Sequence, residues 1–120
     1  MSKIVQAINS IISNAKNIGN VSRGDSELFF TYKEKYKWSI SKRGDDFYLW
    51  FYPRNISIHD LVASARHDWE GIEMVTYQAS EIGTREALSS FSELFTVISG
   101  KLYGIDGVLD DIISDDDIPF

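Results

Sequence analysis

Leu28-Phe29-Phe30-Thr31-Tyr32-Lys33-Glu34-Lys35-Tyr36-Lys37-Trp38-Ser39-Ile40-Ser41-Lys42-Arg43-Gly44-Asp45-Asp46-Phe47-Tyr48-Leu49-Trp50-Phe51-Tyr52 is the stretch that decides the fold. Aromatic and β-branched residues alternate with polar ones, and two short polar clusters interrupt them, which reads as three strands at 27–33, 36–42 and 47–52. A loop at 33–35 pairs Tyr32 with Tyr36, Phe30 with Trp38 and Leu28 with Ile40. A loop at 43–46 pairs Lys42 with Phe47, Ile40 with Leu49 and Trp38 with Phe51. One face then carries Leu28, Phe30, Tyr32, Tyr36, Trp38, Ile40, Phe47, Leu49 and Phe51, the expected core face. The other carries Phe29, Thr31, Lys33, Lys37, Ser39, Ser41, Tyr48, Trp50 and Tyr52. A slip of one residue would mix the two sets, so the division is a sharp test of register.

Working outward, residues 3–18 predict an amphipathic helix. Ile4, Val5, Ile8, Ile11, Ile12, Ala15 and Ile18 recur at helical spacing, with Ser2 as N-cap and Gly19 just past the end. Residues 19–26 are rich in turn formers. Pro53 cannot donate to a ladder and ends the third strand. Ser57 and Asp60 form a capping-box pattern opening a helix at 58–66, with Ile58, Leu61, Val62 and Ala65 inward. A loop at 67–71 precedes a fourth strand over Ile72–Ala79. Thr84 caps the longest helix, 85–103, whose stripe is Leu88, Phe91, Leu94, Phe95, Ile98 and Leu102. A short segment, Ile105–Ile113, follows. The expectation is one α+β domain over residues 1–114: a curved antiparallel sheet of about four strands, an N-terminal helix and C-terminal helices packed mainly on one face. The long helix at 85–103 is a candidate homodimer contact.

A chain of 120 residues with 43% hydrophobic and 25% charged residues has the balance of an ordinary globular domain with one modest core. With no cysteine, neither a disulfide framework nor a zinc–thiolate site can form. No apolar run reaches the length of a membrane span, and Met1-Ser2-Lys3-Ile4 does not open a signal segment, so a cytoplasmic protein is expected. His59 and His67 have no third ligand in pattern, and the aspartates lack a calcium-loop glycine and closing glutamate, so neither a metal nor any other cofactor is expected. No phosphate-binding loop or nucleophile motif occurs, and the expected function is non-catalytic.

Net charge is −6, yet six of the 18 acids lie in residues 105–120 with no base among them. The other 12 acids balance the 12 bases, so the acidity belongs to one end and does not exclude a nucleic-acid partner. Ten of the 16 aromatics fall in residues 29–52. Rings interleaved with cations suit single-stranded DNA, because bases stack on rings while Lys and Arg follow the phosphates. The expected stackers are Phe29, Tyr48, Trp50 and Tyr52, with Lys33, Lys37, Lys42 and Arg43 as phosphate contacts.

The chain closes on Asp115-Asp116-Asp117-Ile118-Pro119-Phe120. Three carboxylates, a branched apolar residue, a rigid proline and a terminal ring make a docking peptide: the ring and α-carboxylate anchor, the aspartates steer, and Pro119 limits the entropy lost. This run resembles, residue for residue, the C-terminal tip of bacterial single-stranded DNA-binding protein (SSB). In that family the tip docks on replication, recombination and repair enzymes. The resemblance implies Phe120 as pocket anchor, Ile118 and Pro119 as its apolar support, and Asp115, Asp116 and Asp117 as electrostatic contacts. It covers six residues only. The bacterial family carries an N-terminal oligonucleotide-binding barrel and a Gly/Pro/Gln-rich linker, whereas this chain begins with a helical pattern and has no such linker. A phage or mobile-element single-stranded DNA-binding protein on another fold is the expectation. The alternative is an adaptor or decoy that binds no DNA and uses the tip to engage SSB-interacting enzymes.

Overall fold

Two hairpins generate the sheet, and their registers follow directly from the alternation of the sequence. In the computed structural model, which describes residues 2–53, 57–67 and 73–115 apart from the side chains of 64–67, 105–107, 110 and 115, β2 is Leu28–Tyr32, β3 Tyr36–Arg43 and β4 Asp46–Tyr52. Leu28 faces Ile40, Phe30 faces Trp38 and Tyr32 faces Tyr36. Across the next pair Trp38 faces Phe51, Ile40 faces Leu49 and Lys42 faces Phe47. All six predicted pairs are present. Arg43 also pairs with Asp46, which shortens the second loop to two residues. Its first residue, Gly44, sits at φ +62°, where any side chain would be strained. The first turn places Lys33 and Glu34 at φ +57° and +59° without glycine. That costs on the order of 1–3 kcal/mol per residue.

The sheet is wider than expected. β1, Ile18–Arg23, pairs antiparallel with β2, and β5, Val75–Gln78, pairs with β4, giving the order β1-β2-β3-β4-β5. The turn expected over 19–26 is thus mostly strand. Polar residues are accommodated there by a bulge between Gly19 and Ser22, with Asn20 at φ +52°. Asn20 Nδ2 donates to Thr31 Oγ1 at 3.1 Å, and that hydroxyl donates to the Gly19 carbonyl at 3.1 Å. The N-terminal helix is correspondingly shorter than predicted. α1 spans Lys3–Ser13, Ser2 Oγ accepts from Val5 N at 3.3 Å, and Asn14 closes the far end by donating to the Ser10 carbonyl. A 3₁₀ turn at Ala15–Asn17 then delivers Ile18 to the core from a strand rather than a helix.

The remaining helices are α2 (Ile58–His67), α3 (Ala79–Ile82), α4 (Arg85–Tyr103) and α5 (Ile105–Asp115). Ser57 Oγ accepts from Asp60 N and Thr84 Oγ1 from Ala87 N, as their positions predicted. The main core joins Leu28, Phe30, Ile40, Phe47 and Leu49 of the sheet to Ile8 and Ile11 of α1 and to Phe91, Leu94 and Ile98 of α4. Each such side chain contributes about 1.5–3 kcal/mol when buried. Leu88, expected in the α4 stripe, is 44% exposed, while Ala87 and Ser90 turn inward instead. Ser90 Oγ donates to Asn9 Oδ1 at 2.7 Å, tying α4 to α1 where a larger side chain would separate them.

Asp46 secures the β5–α3 corner. Its carboxylate accepts from Gln78 Nε2 at 2.6 Å, Ser80 Oγ at 2.7 Å, Ser80 N at 3.1 Å and Phe47 N at 2.9 Å. The bonds from Gln78 and Ser80 lower its pKa from 3.8 to about 2. A depressed carboxylate stabilises the fold above the unfolded value and loses that contribution as pH falls through the folded one. Wild type should therefore melt above Asp46→Asn at neutral pH, with the gap closing between about pH 4 and 2. Thermal melts of both proteins across that range test this; a pH-independent gap would assign the effect to lost packing.

Candidate nucleic-acid interface

The second sheet face is divided between a small core and an open platform. α2 lies across β1 and β2 and inserts Leu61 against Phe29 and Tyr52, with Ile58, Val62, Trp50 and Met74 packed around them. Phe29 is 0% and Tyr52 3% exposed. These two expected stackers are therefore not available to bases; a second apolar core takes them because α2 has an apolar stripe to bury and this half of the sheet offers rings. The Tyr52 hydroxyl shares a hydrogen bond of 2.7 Å with Ser39 Oγ. Burial pushes its pKa upward, with the Glu27 charge adding to the shift, so the phenol is held neutral.

Tyr48 and Trp50 remain half-buried, unlike Phe29 and Tyr52. Two residues apart on β4, they project to the same face, with ring centroids 5.7 Å apart and planes within 12°. Arg43, across the hairpin, lays its guanidinium 5.0 Å from the Tyr48 centroid and 5.4 Å from that of Trp50. One cation thus spans two nearly parallel rings, an arrangement worth about 0.5–2 kcal/mol per contact that also holds the rings in place.

The four basic residues do not form one track. Lys42, adjacent to Arg43, points to the face covered by α1 and α4, its Nζ 6.0 Å from the Phe47 ring. Alternation along β3 makes this unavoidable. Lys33 sits on the turn at the opposite end of the sheet, its Nζ 5.8 Å from the Tyr32 ring. Lys37 is half-buried beside a groove of about 560 Å³ between the sheet and α2, which Asn20, Thr31, His59 and Val62 also line. Six residues of strand separate Lys37 from Arg43, on the order of 20 Å. The platform therefore has Arg43 as its immediate cation.

Sequence reasoning missed Glu27, which is buried beside the platform, and Met74, which walls it. A lone glutamate before a strand carries no signal of its own. Arg23 was also passed over; its guanidinium packs 5.4 Å from the Tyr103 ring and hydrogen-bonds the Tyr103 hydroxyl. Of the expected docking tip, Asp115 closes α5 and residues 116–120 lie outside the described residues, as does the loop at 68–71. α5 leaves Val108, Leu109, Ile112 and Ile113 at 50, 48, 58 and 60% exposure. Among the described residues no helix is long and apolar enough to cross a membrane. No protein-family model, curated protein or solved structure matches this chain.

Proposed function

We propose that this chain is a non-catalytic, sequence-tolerant single-stranded DNA-binding protein that recruits replication, recombination or repair enzymes through its Asp-Asp-Asp-Ile-Pro-Phe stretch. The observation that carries the reading is the Arg43–Tyr48–Trp50 platform: two half-buried, nearly parallel rings with a cation across them. A base can stack against this platform, where the guanidinium offers N–H donors to the base edge or to a phosphate. The resemblance of residues 115–120 to the SSB tip supports the second half of the reading.

Titration of the intrinsic tryptophan fluorescence with oligo-dT tests it. Quenching should be salt-sensitive, and Trp50→Ala should weaken binding by about 1–3 kcal/mol, the worth of one stacked base. A flat titration would reject strand binding. The exposed apolar residues of α5 beside the acidic stretch favour a second reading, an adaptor or decoy that holds enzymes without DNA. It predicts a flat titration together with partner capture that depends on Phe120.

A further inference from the structure

Beside the ring platform lies a cleft of about 220 Å³ lined by Glu27, Arg43, Trp50, Tyr52 and Met74. It is smaller than the roughly 300 Å³ at which sites for drug-sized ligands begin, and so suits a single planar group. Glu27 is 8% exposed. Its Oε2 accepts from Ser26 Oγ at 2.8 Å, but its Oε1 is buried with no hydrogen-bond partner. The turn that presents it is tight: Gly24 N donates to the Glu27 carbonyl at 2.8 Å. A Cβ at Gly24 would stand 2.6 Å from the Phe29 ring and 3.1 Å from Oε1, so only glycine leaves the carboxylate its place. An unpaired buried carboxylate oxygen is costly and is relieved by any donor that reaches it. The last torsion of a glutamate is soft, so either oxygen can be presented to a group entering the cleft.

We propose that this cleft reads guanine: the base slides against Trp50, Glu27 accepts from its N1–H and N2 amino group, and Arg43 donates to O6 and N7. The inference rests on the strand-binding reading above and gives it a base preference. Guanine is singled out by its donor pattern. It alone presents two adjacent donors on one edge and two acceptors on the next, matching a carboxylate and a guanidinium on neighbouring walls. Adenine and cytosine set a ring-nitrogen acceptor beside their one amino group, which would face the carboxylate lone pairs. Thymine flanks its single N–H with two carbonyls.

The test is a fluorescence titration of the full chain with oligo-dT of about twelve nucleotides, with the same oligonucleotide carrying one central guanine, and with GMP. Wild type should bind the guanine-containing strand roughly tenfold or more tightly than oligo-dT, and Glu27→Gln should bring the two strands to the same affinity. Equal affinities in the wild type would overturn the pocket and leave strand binding standing. A preference that survives in Glu27→Gln would overturn the assignment of Glu27. If neither strand binds, saturable quenching by GMP that Glu27→Gln abolishes would keep the pocket while the strand-binding reading falls. Silence towards GMP as well would remove both.

Discussion

Phe29→Ala should lower the unfolding free energy by about 3–5 kcal/mol, the usual cost of deleting a fully buried phenylalanine. Against a total of roughly 5–15 kcal/mol for a domain, that is a large fraction. The magnitude follows from where the ring lies. Phe29 is 0% exposed, its centroid is 6.1 Å from that of Tyr52, and Leu61 of α2 closes over both. Among the described residues the cluster's buried members are Phe29, Tyr52 and Leu61, with Trp50, Ile58, Val62 and Met74 packed around them, so removing the ring takes away a large share of its contacts. Urea denaturation should show a lowered midpoint, and amide exchange should show α2 losing protection before the α1–α4 side. A matched Tyr48→Ala variant, taken from the half-buried platform, should lose far less stability. If Phe29→Ala instead kept its midpoint and lost only affinity for oligo-dT, the ring would be a stacker and the second core would carry nothing.

That result would also separate what the alternation could reveal from what it could not. The hairpin registers were legible because a period of two assigns every side chain of 28–52 to a face, and this pairing keeps Leu28, Phe30, Ile40, Phe47 and Leu49 together on one of them. The helix caps at Ser2, Ser57 and Thr84 were legible because a hydroxyl at the right offset has one local use. β1 was not, because Gly19, Asn20 and Ser22 are turn formers, and the bulge between Gly19 and Ser22 is held by the Thr31 hydroxyl of the neighbouring strand, which bonds Asn20 and the Gly19 carbonyl. Leu88 misled because the inward face of α4 runs through Ala87, Ser90, Phe91, Leu94 and Ile98, with Ser90 turned to Asn9 of α1. The candidate site divided the same way. Alternation put Phe29, Tyr48, Trp50 and Tyr52 on one face, but nothing along the chain says that α2 covers two of them. Whether a ring is a platform or a core member depends on where α2 packs, and for Phe29 that helix lies about thirty residues further along the chain.

The division has a functional consequence. α2 buries the β1–β2 half of the face and ends the run of rings at Trp50, which packs against the second core and also lines the cleft. A platform anchored in this way loses little side-chain entropy on binding a base, because Trp50 is already held by the core and by Arg43. On the proposed strand-binding reading, stacking and the small core are coupled, and a variant that loosens α2 should weaken affinity for oligo-dT indirectly, through the mobility of Trp50.

Phe120→Ala is expected to remove enzyme capture while leaving affinity for oligo-dT intact. A six-residue ligand offers steering charge, rigidity and one apolar anchor. Three aspartates raise the rate of encounter with a basic surface and are screened by salt. Pro119 lowers the entropy lost on docking. The apolar anchor supplies the specific part, about 1.5–3 kcal/mol for a buried phenylalanine ring, or roughly 10- to 150-fold in affinity. For a transient interface that difference separates retention from loss in a pull-down. Full-length protein and Phe120→Ala should be immobilised side by side, exposed to bacterial lysate, and the retained proteins identified. The wild type should hold DNA-processing enzymes that the variant does not, and moderate salt should reduce that set because the aspartates no longer steer. Deleting residues 115–120 should abolish the same captures and, by removing three acids from a chain of net charge −6, leave oligo-dT affinity unchanged or higher at low salt. Identical retained proteins with and without Phe120 would reject docking through this stretch. A large loss of strand affinity on deletion would instead make the acidic end part of the DNA site, an outcome that like-charge repulsion between aspartate and phosphate argues against.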